Sequence, residues 1–223
     1  MKGIRNRKML NNIFEIVWSI PAVLIAITFH EYWHGRMAYK LGDPTAAEAG
    51  RLTLNPLAHL DPIGTLMLLL FRFGWAKPVP VNFNRLNHPK RDMIYVSLAG
   101  PIANIVIALI FALILRLSYY FIGQITMVQS SSFFNLSVTM LRGWLIFLQT
   151  GVIINLALAI FNLIPVPPLD GSKILLGLLP YSQAYRYAKL ESYGPILLLI
   201  LVLSGIIGKV FFPIVFFLFR FLV

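Results

Sequence analysis

Apolar residues fall along this chain in long blocks rather than at the alternating spacing of half-buried soluble elements. One block runs from about residue 13 to 39, interrupted only by Pro21 and by polar residues near its end. Residues 93–117 and 143–165 form two more, and 193–208 with 210–223 make a further span and a shorter hydrophobic end. The first three exceed the roughly 20 residues that a helix needs to cross a hydrocarbon core about 30 Å thick. PIGTLMLLLFRFG, 62–74, is apolar but too short for a normal crossing, so it is expected to dip in and return. Between the blocks, 40–61 is polar, 75–91 reads as loop with a short extended segment, PVPVNF, and 174–191 as a short connection. NLIPVPPLDG ends the 143–165 block with three prolines and a glycine, which cannot continue a helix.

The fold expected is therefore an all-α polytopic membrane protein of about four to six membrane segments. It includes the short re-entrant segment and a small β-hairpin or sheet near the cytoplasmic face. The pattern predicts a single integral membrane domain over 1–223, its core at about 13–175 and C-terminal membrane segments at about 190–223, with no repeat, low-complexity tract or appended soluble domain.

Composition agrees. Hydrophobic residues make up 58% of the 223 residues and charged ones 12%, about half the usual soluble share. A net charge of +11 would point to nucleic acid in a soluble protein. Here the basic residues sit at the ends of apolar blocks and in short loops, where membrane orientation and anionic headgroups account for them. With no cysteine, disulfides and thiol chemistry are excluded. Lys2, Arg5, Arg7 and Lys8 before an apolar run resemble a signal peptide. No convincing small-residue cleavage site follows, so the run reads as a retained span.

That first span carries His30-Glu31-Tyr32-Trp33-His34. On a helix the two histidines lie one turn apart on one face, where they can hold one zinc ion, with Glu31 beside them to take a proton from water. With four histidines and four glutamates in the chain, the pattern arises by chance about once in a thousand such sequences. Two core histidines beside an unrelated glutamate are the competing reading. Charged residues deep in a membrane helix cost several kcal/mol and mark functional sites by default, which favours metal. A catalytic zinc site usually takes a third protein ligand. Asp170 is the candidate, at a membrane-helix end in a proline-rich turn that can aim it inward; a structural turn aspartate explains the same position equally well.

A metal shared by His30, His34 and Asp170 requires the 13–39 and 143–165 helices to run in the same direction. Basic residues crowd 36–92, whereas only Arg116 and Arg142 flank the uncharged stretch 118–142. By the positive-inside tendency, 40–92 and 170–192 are cytoplasmic and 118–142 is outside. This arrangement puts the four basic N-terminal residues outside, against the same tendency.

FHEYWH (29–34), AGPIAN (99–104) and FNLIPVPPLDG (161–171), in that order and each at a span, resemble the site-2 protease family of intramembrane metalloproteases. NPLAHLDPIGT (55–65) and KPVPVN (77–82) look like its compact bacterial and archaeal branch, and the resemblance covers roughly 20–175. It implies one zinc ion per chain held by His30, His34 and Asp170, with Glu31 as general base. The family's glycine-x-x-x-asparagine motif matches Gly100 and Asn104, and there the asparagine positions substrate or stabilises the oxyanion. Read from its residues alone, Asn104 is equally an interhelical hydrogen bond. The function implied is hydrolysis of peptide bonds in or near transmembrane segments of membrane proteins, as in regulated intramembrane proteolysis. Its partners would be transmembrane substrates and the lipid bilayer, not nucleic acid. The implied location is the cell membrane, multi-pass, with the active site near the cytoplasmic face. Two departures from larger members are expected: no spanning helix before the metal motif and no attached regulatory domain.

The remaining residues carry weaker signals. His59 is expected to be a hydrogen-bonded loop residue rather than an active-site one, and Asn155 and Asn162, seven apart on one helix, to serve packing. RLTLNP (51–56) and PVPVNF (78–83) are either ordinary surface hairpin or edges to which an unwound substrate pairs by strand addition. The alternative function is a non-proteolytic metal-binding protein or metal carrier. A carrier needs further His, Cys or acidic residues along a path, and this chain has few.

Overall fold

The computed structural model describes residues 2–64, 66, 76–125 and 133–223, with side chains described for these except 2–11, 123–125 and 133–137. In chain order the helices are α1 (Lys2–Lys40), the single turn α2 (Thr45–Glu48), α3 (Pro89–Ile125), α4 (Phe133–Asn162), α5 (Asp170–Leu178), α6 (Tyr181–Ala188), α7 (Gly194–Leu203) and α8 (Phe212–Leu222). Among the described residues, three stretches are long and apolar enough to cross a membrane: Asn12–Lys40, Pro89–Ile122 and Val138–Asn162. A fourth is possible if Tyr181–Leu203 and Ile207–Leu222, bent by 62° at Gly205, count as one span.

The core sits between α3, α4 and the C-terminal segment. Ala108, Phe111, Ala112 and Leu115, spaced three or four apart on α3, bury one face against Leu148, Val152 and Leu156 of α4 and Phe211 and Val215. The rest of α3 is as apolar as its core face: Ile102, Ile105, Leu109, Ile110 and Leu113 are exposed. Water would penalise that surface, whereas lipid does not. Gly151 lets α4 close on α3, since a Cβ there would lie 2.5 Å from the Phe111 ring.

Cross-contacts fix the helix directions. Gly143 lies against Trp18 and Thr150 bonds Ser19 at 3.1 Å, so α1 and α4 ascend together. Gly151 meets Phe111 and Asn155 meets Asn104, so α3 runs against both. The parallel α1–α4 pair is the one that a shared metal requires.

Several sequence expectations change. The stretch 118–142, read as an outside loop, is largely helix: α3 continues to Ile125 and α4 begins at Phe133. Uncharged Leu, Tyr and Phe side chains there support helix as readily as loop. The connection 174–191 folds into α5 and α6. Of the expected re-entrant segment only its start is described, where Pro62–Gly64 is helical, and most of 62–74 lies outside the described residues. Among the described residues there is no sheet, only an antiparallel bridge between Leu60 and Ala76 with the Lys77 N–H donating to the His59 carbonyl at 2.9 Å. Pro78 and Pro80 explain the short ladder, because neither has an N–H to extend it.

The described parts of the connection, 41–64 and 76–88, fold over the C-terminal end of α1. Buried Asp43 accepts from the Asn82 N–H at 2.7 Å, and Leu86 packs with Ala38 and Val96. After Asn162 the chain unwinds through 163–169 and re-enters helix at Asp170. Gly171 permits this turn: a Cβ there would lie 2.3 Å from the Leu163 carbonyl oxygen and 2.5 Å from that of Ile164.

Candidate metal centre

α1 presents Ala26, His30 and His34 on one face, each a turn apart, and α3 presents Val96, Gly100 and Asn104 with the same spacing. The antiparallel helices align these faces. His34 Nδ1 lies 2.8 Å from the Val96 carbonyl, and His30 Nδ1 lies 2.6 Å from Asn104 Oδ1. Between them Gly100 leaves the room that the imidazoles occupy, since a Cβ there would fall 2.3 Å from His34 Nε2 and 2.8 Å from His30 Cε1.

Asp170 arrives from the third direction, as the first residue of α5. Its Oδ2 is 3.2 Å from His30 Nε2 and 3.1 Å from His34 Nε2, and the two Nε2 atoms are 3.0 Å apart. The three donor atoms form the group able to hold a metal ion among the described residues. Both histidines are buried. Each Nδ1 faces an acceptor and so carries the proton of a neutral ring, which turns a bare Nε2 lone pair toward Asp170. Two imidazole lone pairs and a carboxylate oxygen with no hydrogen bond of its own repel one another at these distances. A divalent cation among them removes that repulsion, and the His-His-Asp set is one that zinc accepts.

Glu31 lies beside His30 on α1, and its Oε2 accepts the Val79 N–H at 2.7 Å. That bond ties the extended segment after Lys77 to the metal motif. Arg51 holds the same segment from the other side, donating to the Lys77 and Pro78 carbonyls at 2.8 and 3.2 Å.

The structure thus brings together His30, His34 and Asp170, sets Asn104 against His30, and places Glu31 alongside. His59 stands apart from this group: it is buried, with Nε2 2.8 Å from the Thr53 carbonyl, as a hydrogen-bonded loop histidine should be. Asn162 donates to the Leu158 carbonyl of its own helix. Two participants escaped sequence reasoning, Val96 and Val79, which act through backbone groups that no side-chain pattern announces. Asn155, expected to serve packing, does so by bonding Asn104 at 2.8 Å. Two asparagines on different spans are the signal that could have paired them.

Comparison with known proteins extends the geometry. The pattern of peptidase family M50 matches residues 18–204. Its relatives include two that carry the name "Putative zinc metalloprotease". YwhC of Bacillus subtilis (strain 168) is 37% identical over 198 residues, covering 88% of this chain and 84% of that protein. Rip2 of Mycolicibacterium smegmatis is 28% identical over 216 residues, 95% of this chain and 76% of that one. "Zinc metalloprotease MJ0392" of Methanocaldococcus jannaschii is 24% identical over 206 residues, 90% of this chain and 46% of that one. No solved structure matches significantly. The match covers the metal motif, the asparagine facing it and the turn that delivers the aspartate, on helices long enough to span a membrane several times, and so the chain belongs to peptidase family M50, the site-2 protease family of zinc metalloproteases.

Proposed function

We propose that this protein is an intramembrane protease that hydrolyses peptide bonds in or near the transmembrane segments of other membrane proteins, as in regulated intramembrane proteolysis. His30, His34 and Asp170 hold one zinc ion per chain. The observation that carries the reading is the convergence of three donor atoms from two helices, α1 and α5, at 3.0–3.2 Å, with α1 and the facing α3 both long and apolar enough to span a bilayer.

When bound, zinc lowers the pKa of a water and polarises the scissile carbonyl. Glu31 accepts the proton of the attacking water and returns it to the leaving amine. The Val79 N–H occupies Glu31 Oε2 and steadies the carboxylate, so that its other oxygen handles the proton. His30 is ten residues before the end of α1, which sets the chemistry about 15 Å below that helix end. A substrate helix hides its carbonyls in its own hydrogen bonds, so it must unwind to be cut. The whole chain acts as one integral domain in the cell membrane, with the basic connection 41–88 and the nearby site toward the cytoplasm.

Full-length protein in detergent should contain close to one zinc per chain, and His30→Ala with His34→Ala should remove it. Glu31→Gln keeps the metal and fold but loses on the order of 10²–10⁴-fold in cleavage of a single-span substrate. Wild-type cleavage by zinc-loaded Glu31→Gln would overturn the mechanism.

A further inference from the structure

We infer that Asn104 is a positioning residue for His30, held in turn by Asn155, and that it is not a donor to the reacting carbonyl. The inference rests on His30 being a zinc ligand, as proposed above.

The argument is one of donors and acceptors. Asn104 is wholly buried, and its Nδ2 lies 3.0 Å from the Ala26 carbonyl. A carbonyl only accepts, so Nδ2 must face it and Oδ1 must face His30. The 2.6 Å contact between Asn104 Oδ1 and His30 Nδ1 is then an N–H donated by the imidazole. The other hydrogen of Asn104 Nδ2 goes to Asn155 Oδ1 at 2.8 Å. Asn155, also wholly buried, is oriented by the same logic, because its Nδ2 donates to the Gly151 carbonyl at 2.8 Å. A directed chain results, with backbone carbonyls of α1 and α4 fixing each amide and the last oxygen fixing the tautomer of His30.

Asn104 has two N–H donors and both are spent. To donate to an oxyanion it would have to give up the Ala26 carbonyl or leave the buried Asn155 Oδ1 without a donor. A group that accepts the N–H on the other ring nitrogen of a metal-ligating imidazole, by contrast, sets ring orientation and ligand basicity, and its loss typically weakens metal binding. Asn155 makes the distinction testable: it touches Asn104 and its own helix, and it is sealed from any substrate.

The test is equilibrium zinc affinity of the detergent-purified full chain, by chelator competition, alongside kcat and KM. Asn104→Ala is expected to weaken zinc binding by about 10–100-fold, and Asn155→Ala by up to about tenfold. Asn104→Asp keeps an oxygen for the His30 N–H and should recover affinity relative to Asn104→Ala. Wild-type zinc affinity in both alanine variants, with kcat lost in Asn104→Ala alone, would show an oxyanion donor and overturn the inference. If Asn104→Ala does not fold, wild-type zinc affinity in Asn155→Ala overturns it alone. Full zinc affinity in His30→Ala would instead sink the underlying ligand assignment.

Discussion

Gly100 shows how little space separates α3 from the two imidazoles. A single methyl at that position would fall 2.3 Å from His34 Nε2 and 2.7 Å from His34 Cε1, far inside van der Waals contact. The rings cannot yield freely, because each is pinned at Nδ1. Gly100→Ala should therefore splay the ligand set, with an overpacking cost of about 1–3 kcal/mol. Zinc content after dialysis should fall sharply while helix content by circular dichroism is kept; undiminished zinc would show that α3 relaxes without disturbing the site. At this scale the sequence was most informative. His30, Glu31 and His34 are one turn of one helix, so their juxtaposition follows from helix geometry alone. Asp170 is 136 residues beyond His34, and no local rule brings it there; only the tertiary turn does. The contacts of Val96 and Val79 were not legible at all, because a backbone carbonyl or N–H has no letter of its own.

Among the elements, the turn between α4 and α5 places the third donor. Gly171 lies so close to the Leu163 and Ile164 carbonyls that any Cβ meets backbone rather than a movable side chain. Gly171→Ala should displace Asp170 and reduce zinc affinity by roughly the 10–100-fold expected for a disturbed ligand environment. Gly208→Ala is the matched control, since a Cβ there meets nothing within 4 Å. Equal zinc affinity in the two variants would show that the turn does not set the ligand. The prolines and glycine of this turn were readable as a break, and the helix-long apolar blocks as spans. Helix ends were less readable. In a soluble protein, polar residues mark the solvent; here Ser118, Tyr119 and Tyr120 continue α3 toward Ile125, since helix is the economical way to satisfy backbone near lipid. Among the described residues the short extended region makes a single bridge and no ladder, because Pro78 and Pro80 remove donors that a ladder needs.

At the scale of the whole molecule, the parallel α1–α4 pair and antiparallel α3 put the 41–88 connection and the Asp170 turn at one end of the bundle. The far end of α3 lies at the other. Cysteines introduced singly at Arg85 and Tyr120, both exposed, should thus label from opposite sides of the membrane, Arg85 from the cytoplasm. Labelling of both from one side would contradict the arrangement. The unwound segment 163–169 has a consequence for how such a bundle can work. Its four N–H groups all find carbonyls: Leu163 with Ala159, Ile164 with Phe161, Val166 with Ile164, and Leu169 with Val166. Its other three residues are prolines and have no N–H to satisfy. The break therefore requires no hydration of its donors. A protein that must admit water for hydrolysis deep among apolar helices can keep that water for the scissile bond, because the N–H groups of the turn that carries Asp170 make no claim on it.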